Sequence, residues 1–142
     1  MGAGIAAHCA NAGCEVLLLD IVMDENNRNS VAQSAIQQML KSNPEMLMHK
    51  RNVKLISAGN IEDDLSKLSD VDWVVEVVIE NLEIKRSLYE NMSNHIGPHT
   101  IVSSNTSTLP RSALVEGMSD DMASRFLITH FFNPPRYLPL LE

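Results

Sequence analysis

Short apolar runs alternate with helical patterns along the whole chain, and this alternation is the feature that most constrains the fold. The runs "CEVLLLDI" (14–21) and "DWVVEVVI" (72–79) are almost continuously apolar, which is typical of strands covered on both faces. Strands that alternate with helices at this pace predict an α/β fold with a mainly parallel sheet. We expect a single domain over residues 1–142, because the sequence contains no internal repeat and no linker.

The periodicity and the capping residues predict the order of the elements. Strands are expected at 14–21, 52–58, 72–79, 100–105 and 125–132. Helices are expected at 2–12, 29–43, 60–70, 81–96 and 110–117, with caps at Asn29 or Ser30 and at Asn60, and with Gly13 ending the first helix.

Charge and composition exclude several classes of function. The formal net charge is −7 and no basic stripe is present to neutralise phosphates, so we expect no nucleic-acid partner. No apolar run approaches the ~20 residues of a membrane span, and the first residues do not resemble a signal peptide. We expect Cys9 and Cys14 to be buried free thiols in a reducing compartment. Together these features indicate a soluble cytoplasmic protein.

The first residues contain part of a nucleotide-binding pattern. In "MGAGIA", Gly2 fits the third glycine of the dinucleotide fingerprint G-x-G-x-x-G, which opens a helix. Asp20 ends the next strand, about where the acid that binds the adenosine ribose belongs. On its own this match is weak, because Gly-Ala-Gly often precedes a helix and acids often end strands.

Three further motifs follow in order, each at or after the end of a predicted strand. They are "VVEVVIENLEIK" (74–85), "SSNTS" (103–107) and "THFFNP" (129–134). Ligands bind at this edge of open parallel sheets. Together with "LLLDI", these motifs resemble the NAD-binding domain of the 3-hydroxyacyl-CoA dehydrogenases of fatty-acid β-oxidation, especially the long bacterial forms that also carry a hydratase module. The resemblance covers essentially the whole chain and implies a Rossmann-like, doubly wound sheet.

The resemblance implies a catalytic pair and two residues that hold the substrate oxygen. His130 matches the family's catalytic histidine, and Glu142 matches the glutamate that orients it, twelve residues later. An imidazole suits this chemistry because it exchanges a proton near neutral pH. Ser107 and Asn133 match residues that hydrogen-bond the substrate oxygen, and Ser107 matches a residue that also lies beside the nicotinamide of the cofactor. The alternative is that serine and asparagine at such positions serve as ordinary caps and turn residues.

The resemblance also implies the cofactor contacts. Asp20 would accept hydrogen bonds from the ribose hydroxyls and repel the extra phosphate of NADP, so NAD is expected. Glu80 and Lys85 match family positions near the cofactor and substrate; the alternative is a solvated charge pair at the start of a helix. No metal site is expected, because no other histidine has partners at ligand spacing: His8, His49, His95, His99.

The expected function is NAD-dependent oxidation of L-3-hydroxyacyl-CoA to 3-oxoacyl-CoA, in a homo-oligomer or a β-oxidation complex. The family's domain begins with a strand before the glycines and continues into a helical domain, so we expect a chain cut at both ends. The alternative is a truncated, inactive fragment that acts at most as a binding or interaction module. Another alternative, a β-hydroxyacid dehydrogenase with a catalytic lysine in a later helical domain, is disfavoured by "HFFNP" and Glu142.

Overall fold

A computed structural model describes residues 1–142 as an α/β protein with five α-helices and five strands. The helices are α1 (Gly2–Asn11), α2 (Ser30–Met39), α3 (Leu82–Ser93), α4 (Arg111–Leu114) and α5 (Asp120–Ser124). The strands are β1 (Val16–Asp20), β2 (Ile56–Asn60), β3 (Trp73–Glu76), β4 (Ile101–Ser104) and β5 (Phe126–Ile128). Two 3₁₀ helices cover Lys50–Leu55 and Leu65–Asp70. All strand pairs in both sheets are parallel, which confirms the predicted fold class.

The chain forms two compact units. The first contains Met1–Asp64 and Phe132–Leu140, and the second contains Leu65–Phe131 and Leu141–Glu142. In the first unit, β1 pairs with β2 so that Asp20 lies opposite Asn60 at the carboxyl end of both strands. Small alanines of α1 pack with longer apolar side chains from α2, β2 and their connection to form its core: Ala6, Ala7, Ala10, Met39, Leu47, Ile56.

The second unit is built on the sheet β3–β4–β5. Its register places Glu76 opposite Ser104, and Ser104 opposite Ile128, so the carboxyl ends of the three strands meet at one edge. Helix α3 contributes buried side chains to the core, and the rings of Tyr89 and Phe126 meet edge to face with centroids 5.3 Å apart. This edge of the sheet brings together segments that are distant in sequence.

Local signals set the ends of two helices. Gly13 has a φ of 90°, the left-handed conformation in which glycine ends a helix without a steric penalty, and α1 stops two residues before it. Asn81 caps α3 because its side chain accepts a hydrogen bond from the Ile84 amide at 3.0 Å. Both features depend only on neighbouring residues, but only the end at Gly13 was predicted, and the Asn81 cap was not singled out in the sequence. The cap predicted at Asn29 is wrong in one respect, because its side chain makes no hydrogen bond to the first amides of α2.

The second predicted strand is wrong in its position. Residues 50–55 form a 3₁₀ helix, and β2 begins only at Ile56. The His49 side chain accepts a hydrogen bond from the Arg51 amide and starts this helix, while Val53 and Leu55 pack against the core of the first unit. Alternating apolar residues are compatible with a strand or a 3₁₀ turn over so short a length, and packing decided between them.

Two further elements differ from the sequence prediction. The predicted helix at 60–70 is a turn followed by the 3₁₀ helix Leu65–Asp70, although Asn60 does cap that turn by accepting from the amides of Glu62 and Asp63. Helix α5 was not predicted. Its signal was present in the sequence, because Ser119 caps it and acidic residues occupy its first turn.

Candidate active site

His130 and Glu142 are paired through their main chains in the second unit. The His130 amide donates to the Glu142 carbonyl at 2.7 Å, and the Glu142 amide donates to the His130 carbonyl at 3.2 Å. Residues that exchange both bonds lie directly opposite each other in an antiparallel pair, so their side chains point to the same face. The side-chain atoms Nδ1 and Oε2 are 3.8 Å apart, close to hydrogen-bonding distance but beyond it.

Asn105 fixes the start of this paired segment, although the sequence did not single it out. Its side-chain oxygen accepts a hydrogen bond from the Phe131 amide at 2.9 Å, and its own amide donates to the Glu76 carbonyl at 2.9 Å. The Thr129 amide donates to the Ser104 carbonyl at 3.0 Å. The segment that carries His130 is therefore tied to the carboxyl ends of β3 and β4.

Ser107 follows β4 and is exposed. Its hydroxyl makes no hydrogen bond within the chain, whereas the hydroxyls of Thr106 and Thr108 on either side both donate to Glu80. A cap role for Ser107 is therefore not observed. Its hydroxyl is open to a ligand.

A buried ion pair lies beneath this edge of the sheet. Lys85 Nζ is 2.7 Å from Glu76 Oε1, and only 1% of each side chain is exposed. Lys85 is also 3.3 Å from Glu80 Oε2. The hypothesis of a solvated pair at the start of α3 is therefore wrong for Lys85, which is enclosed by protein.

Glu76, like Asn105, was not singled out in the sequence. Its carboxylate accepts four hydrogen bonds: from Lys85 Nζ and the Val78 amide at 2.7 Å each, and from the hydroxyls of Tyr89 and Ser104 at 2.6 Å each. Burial and the bond to Glu76 raise the pKa of Tyr89 above its ordinary range, so Tyr89 remains a donor. The signal was visible as a single acid inside "VVEVV", because a charge in a buried strand requires partners.

Glu80 remains ionised although part of it is desolvated. Desolvation raises the pKa of its carboxyl group, but hydrogen bonds from Thr106 and Thr108 and the ammonium of Lys85 outweigh this effect and lower that pKa below its ordinary value. The Glu80 side chain is 39% exposed, so a negative charge is held next to the segment that carries Ser107.

The first unit contains the predicted nucleotide-binding residues. Asp20 ends β1, and its Oδ1 accepts from the Ile21 amide at 2.8 Å while Oδ2 makes no hydrogen bond within the chain. Gly2 begins α1, whose first turn has no side-chain cap and no acidic residue, so its amides remain open. Helix α1 packs against β1, and a short connection joins the end of α1 at Asn11 to the start of β1 at Val16, so the helix and the strand run in opposite directions. The positive end of α1 and Asp20 therefore lie at the same end of the unit. An open carboxylate oxygen and an uncapped helix start fit a ribose and a pyrophosphate.

Asn133 also belongs to the first unit and is exposed. It lines a groove of about 280 Å³ together with Met1 and Gly4 from the start of α1 and Tyr137. Arg136 holds this segment in place by donating to the carbonyls of Glu45 and Leu47. Asn133 thus lies beside the first turn of α1.

Other polar groups have structural partners. Arg28 forms ion pairs with Glu25, Glu62 and Asp63, and its hydrogen bond lowers the pKa of Asp63.

No three His, Cys, Asp or Glu side chains form a group that could hold a metal ion. The prediction of two buried thiols is wrong for Cys14, which is exposed, and Cys9 is only partly buried, although both cysteines are free. None of the helices is long and apolar enough to span a membrane.

Parallel strands in both units, with polar residues at their carboxyl ends and an uncapped helix start at the same end of its unit as Asp20, define a Rossmann-like nucleotide-binding protein. The comparisons with known proteins then give the family. The chain belongs to the family of the 3-hydroxyacyl-CoA dehydrogenase NAD-binding domain, whose model matches residues 1–142. This confirms the resemblance found in the sequence and the expectation of NAD as the cofactor.

Similar proteins agree with the family. A probable 3-hydroxyacyl-CoA dehydrogenase of Deinococcus radiodurans is 50% identical over all of this chain and 41% of its own length. A putative fatty acid oxidation complex trifunctional enzyme of Rickettsia felis is 46% identical over all of this chain and 20% of its own length. The crystal structure of 3-hydroxybutyryl-CoA dehydrogenase from Escherichia coli matches with a TM-score of 0.81 and 29% identity, over 99% of this chain and 29% of that one. The chain therefore spans less than half the length of each.

Proposed function

We propose that this chain is the NAD-binding part of an enzyme that oxidises L-3-hydroxyacyl-CoA to 3-oxoacyl-CoA. The observation that carries the proposal is the pairing of His130 with Glu142, which sets an imidazole and a carboxylate side by side at the edge of a parallel sheet. The relatives' names support the same reaction, and the fatty acid oxidation enzyme among them supports an acyl-CoA substrate.

His130 is proposed as the base that removes the proton of the substrate hydroxyl. Because Nδ1 is the nitrogen nearest Glu142, the other nitrogen, Nε2, would receive this proton. Glu142 would hold the tautomer with a proton on Nδ1 and stabilise the imidazolium that forms. Bound NAD would supply the hydride acceptor, which takes the hydride from the carbon that carries the substrate hydroxyl.

Ser107 and Asn133 are proposed to hydrogen-bond the substrate oxygen. Both residues are exposed, and the Ser107 hydroxyl makes no hydrogen bond within the chain, which supports this proposal. Asp20 is proposed to bind the ribose through its open Oδ2, and Gly2 to present the first amides of α1 to the pyrophosphate. Glu80 and Lys85, which form an ion pair, are proposed to lie near the cofactor and the substrate.

We further propose one domain over residues 1–142 and a cytoplasmic enzyme that works as a homo-oligomer or within a multifunctional β-oxidation protein. The bacterial sources of the relatives support the location, and the trifunctional relative supports the assembly. The alternative of an inactive fragment predicts that the 142-residue chain alone binds at most and does not reduce acetoacetyl-CoA, so the assay below, applied to that chain as well, tests it.

The test is reduction of acetoacetyl-CoA by NADH, in the polypeptide that carries this domain, with and without His130→Gln. We expect the substitution to lower kcat by about 10²–10⁴-fold, the usual contribution of a positioned acid or base. The Kd for NADH, measured by calorimetry, should hardly change. The exposed His99 gives the control, since His99→Gln should leave both quantities intact. Near-normal turnover of His130→Gln would remove this histidine from the mechanism.

A further inference from the structure

The hydrogen bonds of Glu76 continue into a closed ring beneath Ser107. Ser104 Oγ donates to Glu76 Oε2 at 2.6 Å and accepts from the Thr106 amide at 3.3 Å. The Thr106 hydroxyl donates to Glu80 Oε1. Glu80 Oε2 is paired with Lys85, and Lys85 with Glu76, which closes the circuit. We call these five side chains the polar ring: Glu76, Ser104, Thr106, Glu80, Lys85.

Burial makes the polar ring stiff. All its members except Glu80 are at most 3% exposed. Hydrogen bonds in a dry environment are electrostatically stronger than in water, and breaking one leaves a buried group unsatisfied. The ring therefore opposes displacement of any one of its members.

The polar ring acts on the residues on both sides of Ser107. Thr106 is held through its amide by Ser104 and through its hydroxyl by Glu80. Thr108 is held through its hydroxyl by Glu80 at 3.0 Å. The Thr106 hydroxyl in turn accepts from the Thr108 and Leu109 amides, which shapes the turn. The backbone is thus fixed before and after Ser107, while the Ser107 side chain is left exposed.

We propose that Glu76 is a positioning residue for Ser107. Its carboxylate organises the polar ring, and the ring fixes the segment 105–108 so that the Ser107 hydroxyl is presented in one orientation. The Glu76 carboxylate is enclosed and reaches Thr106 and Thr108 through Ser104 on one side and through Lys85 and Glu80 on the other. The bond from the Asn105 amide to the Glu76 carbonyl belongs to the main chain and does not depend on this side chain. This inference rests on the proposed role of Ser107 in binding the substrate oxygen.

The structure offers a matched pair of substitutions. Ser104 and Tyr89 each donate a hydrogen bond of 2.6 Å to the same oxygen of Glu76, and both are buried. Ser104 immediately precedes the segment 105–108, whereas Tyr89 lies in α3 and makes no bond to that segment. Ser104→Ala removes its bond to Glu76 together with the bond from the Thr106 amide, and so opens the polar ring. Tyr89→Phe removes only a bond of the same length to the same Glu76 oxygen and leaves the ring closed.

Amide hydrogen exchange of the 142-residue chain is the first measurement. In Ser104→Ala, the amides of Thr108 and Leu109 should exchange about tenfold faster, relative to reference amides in α3, because their turn opens locally. In Tyr89→Phe, the ratio should stay within about twofold of the unsubstituted chain. If Ser104→Ala does not fold, Glu80→Gln opens the ring at its exposed member and should give the same increase. The proposal would be overturned if the exchange rates of the Thr108 and Leu109 amides, relative to the reference amides, were the same in the ring-opening variants as in Tyr89→Phe.

Turnover of the polypeptide that carries this domain is the second measurement. Misplacement of a substrate-positioning group by a fraction of an ångström should lower kcat for acetoacetyl-CoA reduction by about tenfold or more in Ser104→Ala. Tyr89→Phe should retain kcat, and both variants should retain the Kd for NADH. Equal losses of kcat in both variants would make the effect one of general stability and overturn the positioning role. Absence of turnover in the unsubstituted protein would instead contradict the proposed function, while the exchange result would still decide whether the ring fixes the segment.

Discussion

Glu76 Oε1 and Lys85 Nζ form an ion pair of 2.7 Å in which each side chain is only 1% exposed. The three protons of the ammonium have three acceptors within reach: Glu76, Glu80 and, at 3.4 Å, the Val78 carbonyl. A charge this deeply buried persists only with such partners, because desolvation of a lone ion costs several kcal/mol. The pair therefore constrains the structure around Ser107 through Glu80, which bonds to Thr106 and Thr108.

The ion pair predicts an asymmetry between single and double substitutions. Lys85→Met leaves the Glu76 carboxylate buried without its cation, and we expect the free energy of unfolding to fall by about 3–5 kcal/mol. Lys85→Met combined with Glu76→Gln removes both charges and should lose less than Lys85→Met alone. Urea denaturation gives both values. If the double variant were less stable than Lys85→Met, the loss of stability in Lys85→Met would not come from a buried carboxylate without its cation.

Removal of the Asn81 cap of α3 should lower the stability of the protein. Asn81→Ala removes the side-chain oxygen that accepts from the Ile84 amide, so the free energy of unfolding should fall by about 1 kcal/mol. Asn94 ends the same helix in a right-handed helical conformation and is equally exposed. Asn94→Ala should therefore change stability by much less. The same loss at both ends, measured by thermal unfolding, would contradict the cap assignment.

The lowered pKa of Glu80 predicts a dependence of stability on pH. Its folded-state pKa lies below its unfolded value, so its carboxylate stabilises the fold above the ordinary carboxyl pKa of about 4.3. That contribution is lost as the pH falls through the folded-state pKa. The stability difference between the unsubstituted chain and Glu80→Gln should thus be present near neutral pH and shrink in acid. Urea denaturation across this range tests the sign, and a difference that grows in acid would refute it.

Asp20 predicts the choice of cofactor. Its open Oδ2 would accept from a ribose hydroxyl and repel a phosphate at the same position. Asp20→Ser should weaken NADH binding about tenfold or more, because it removes a hydrogen bond to a charged group. The preference of the protein for NADH over NADPH should become smaller. The exposed Glu15 precedes the opposite end of β1, so Glu15→Gln controls for charge. Calorimetric titration gives both constants, and equal affinities in the unsubstituted chain would defeat the assignment.

Local sequence determined most of the secondary structure and the family. Apolar runs of strand length, the glycine after α1 and the asparagine before α3 act through residues a few positions apart, so a sequence pattern contains the whole interaction. The motifs around Glu80, Ser107 and His130 were recognisable because each occupies one short segment. The position of β2 was predicted wrongly for the complementary reason, since the pairing of Ile56 with Val16 selects the strand from equally apolar alternatives.

Only the tertiary structure decided how the polar residues are used. Glu76 meets Ser104 across 28 positions of sequence, and the parallel register of β3 and β4 sets that contact. The same folding buries Lys85, which the sequence alone allowed to be a solvated residue at the start of a helix. A sequence pattern specifies which side chains are available, but burial sets their dielectric environment and strand register sets their partners. Burial and strand register are properties of the packed sheet, because they depend on contacts between segments that are far apart in the sequence.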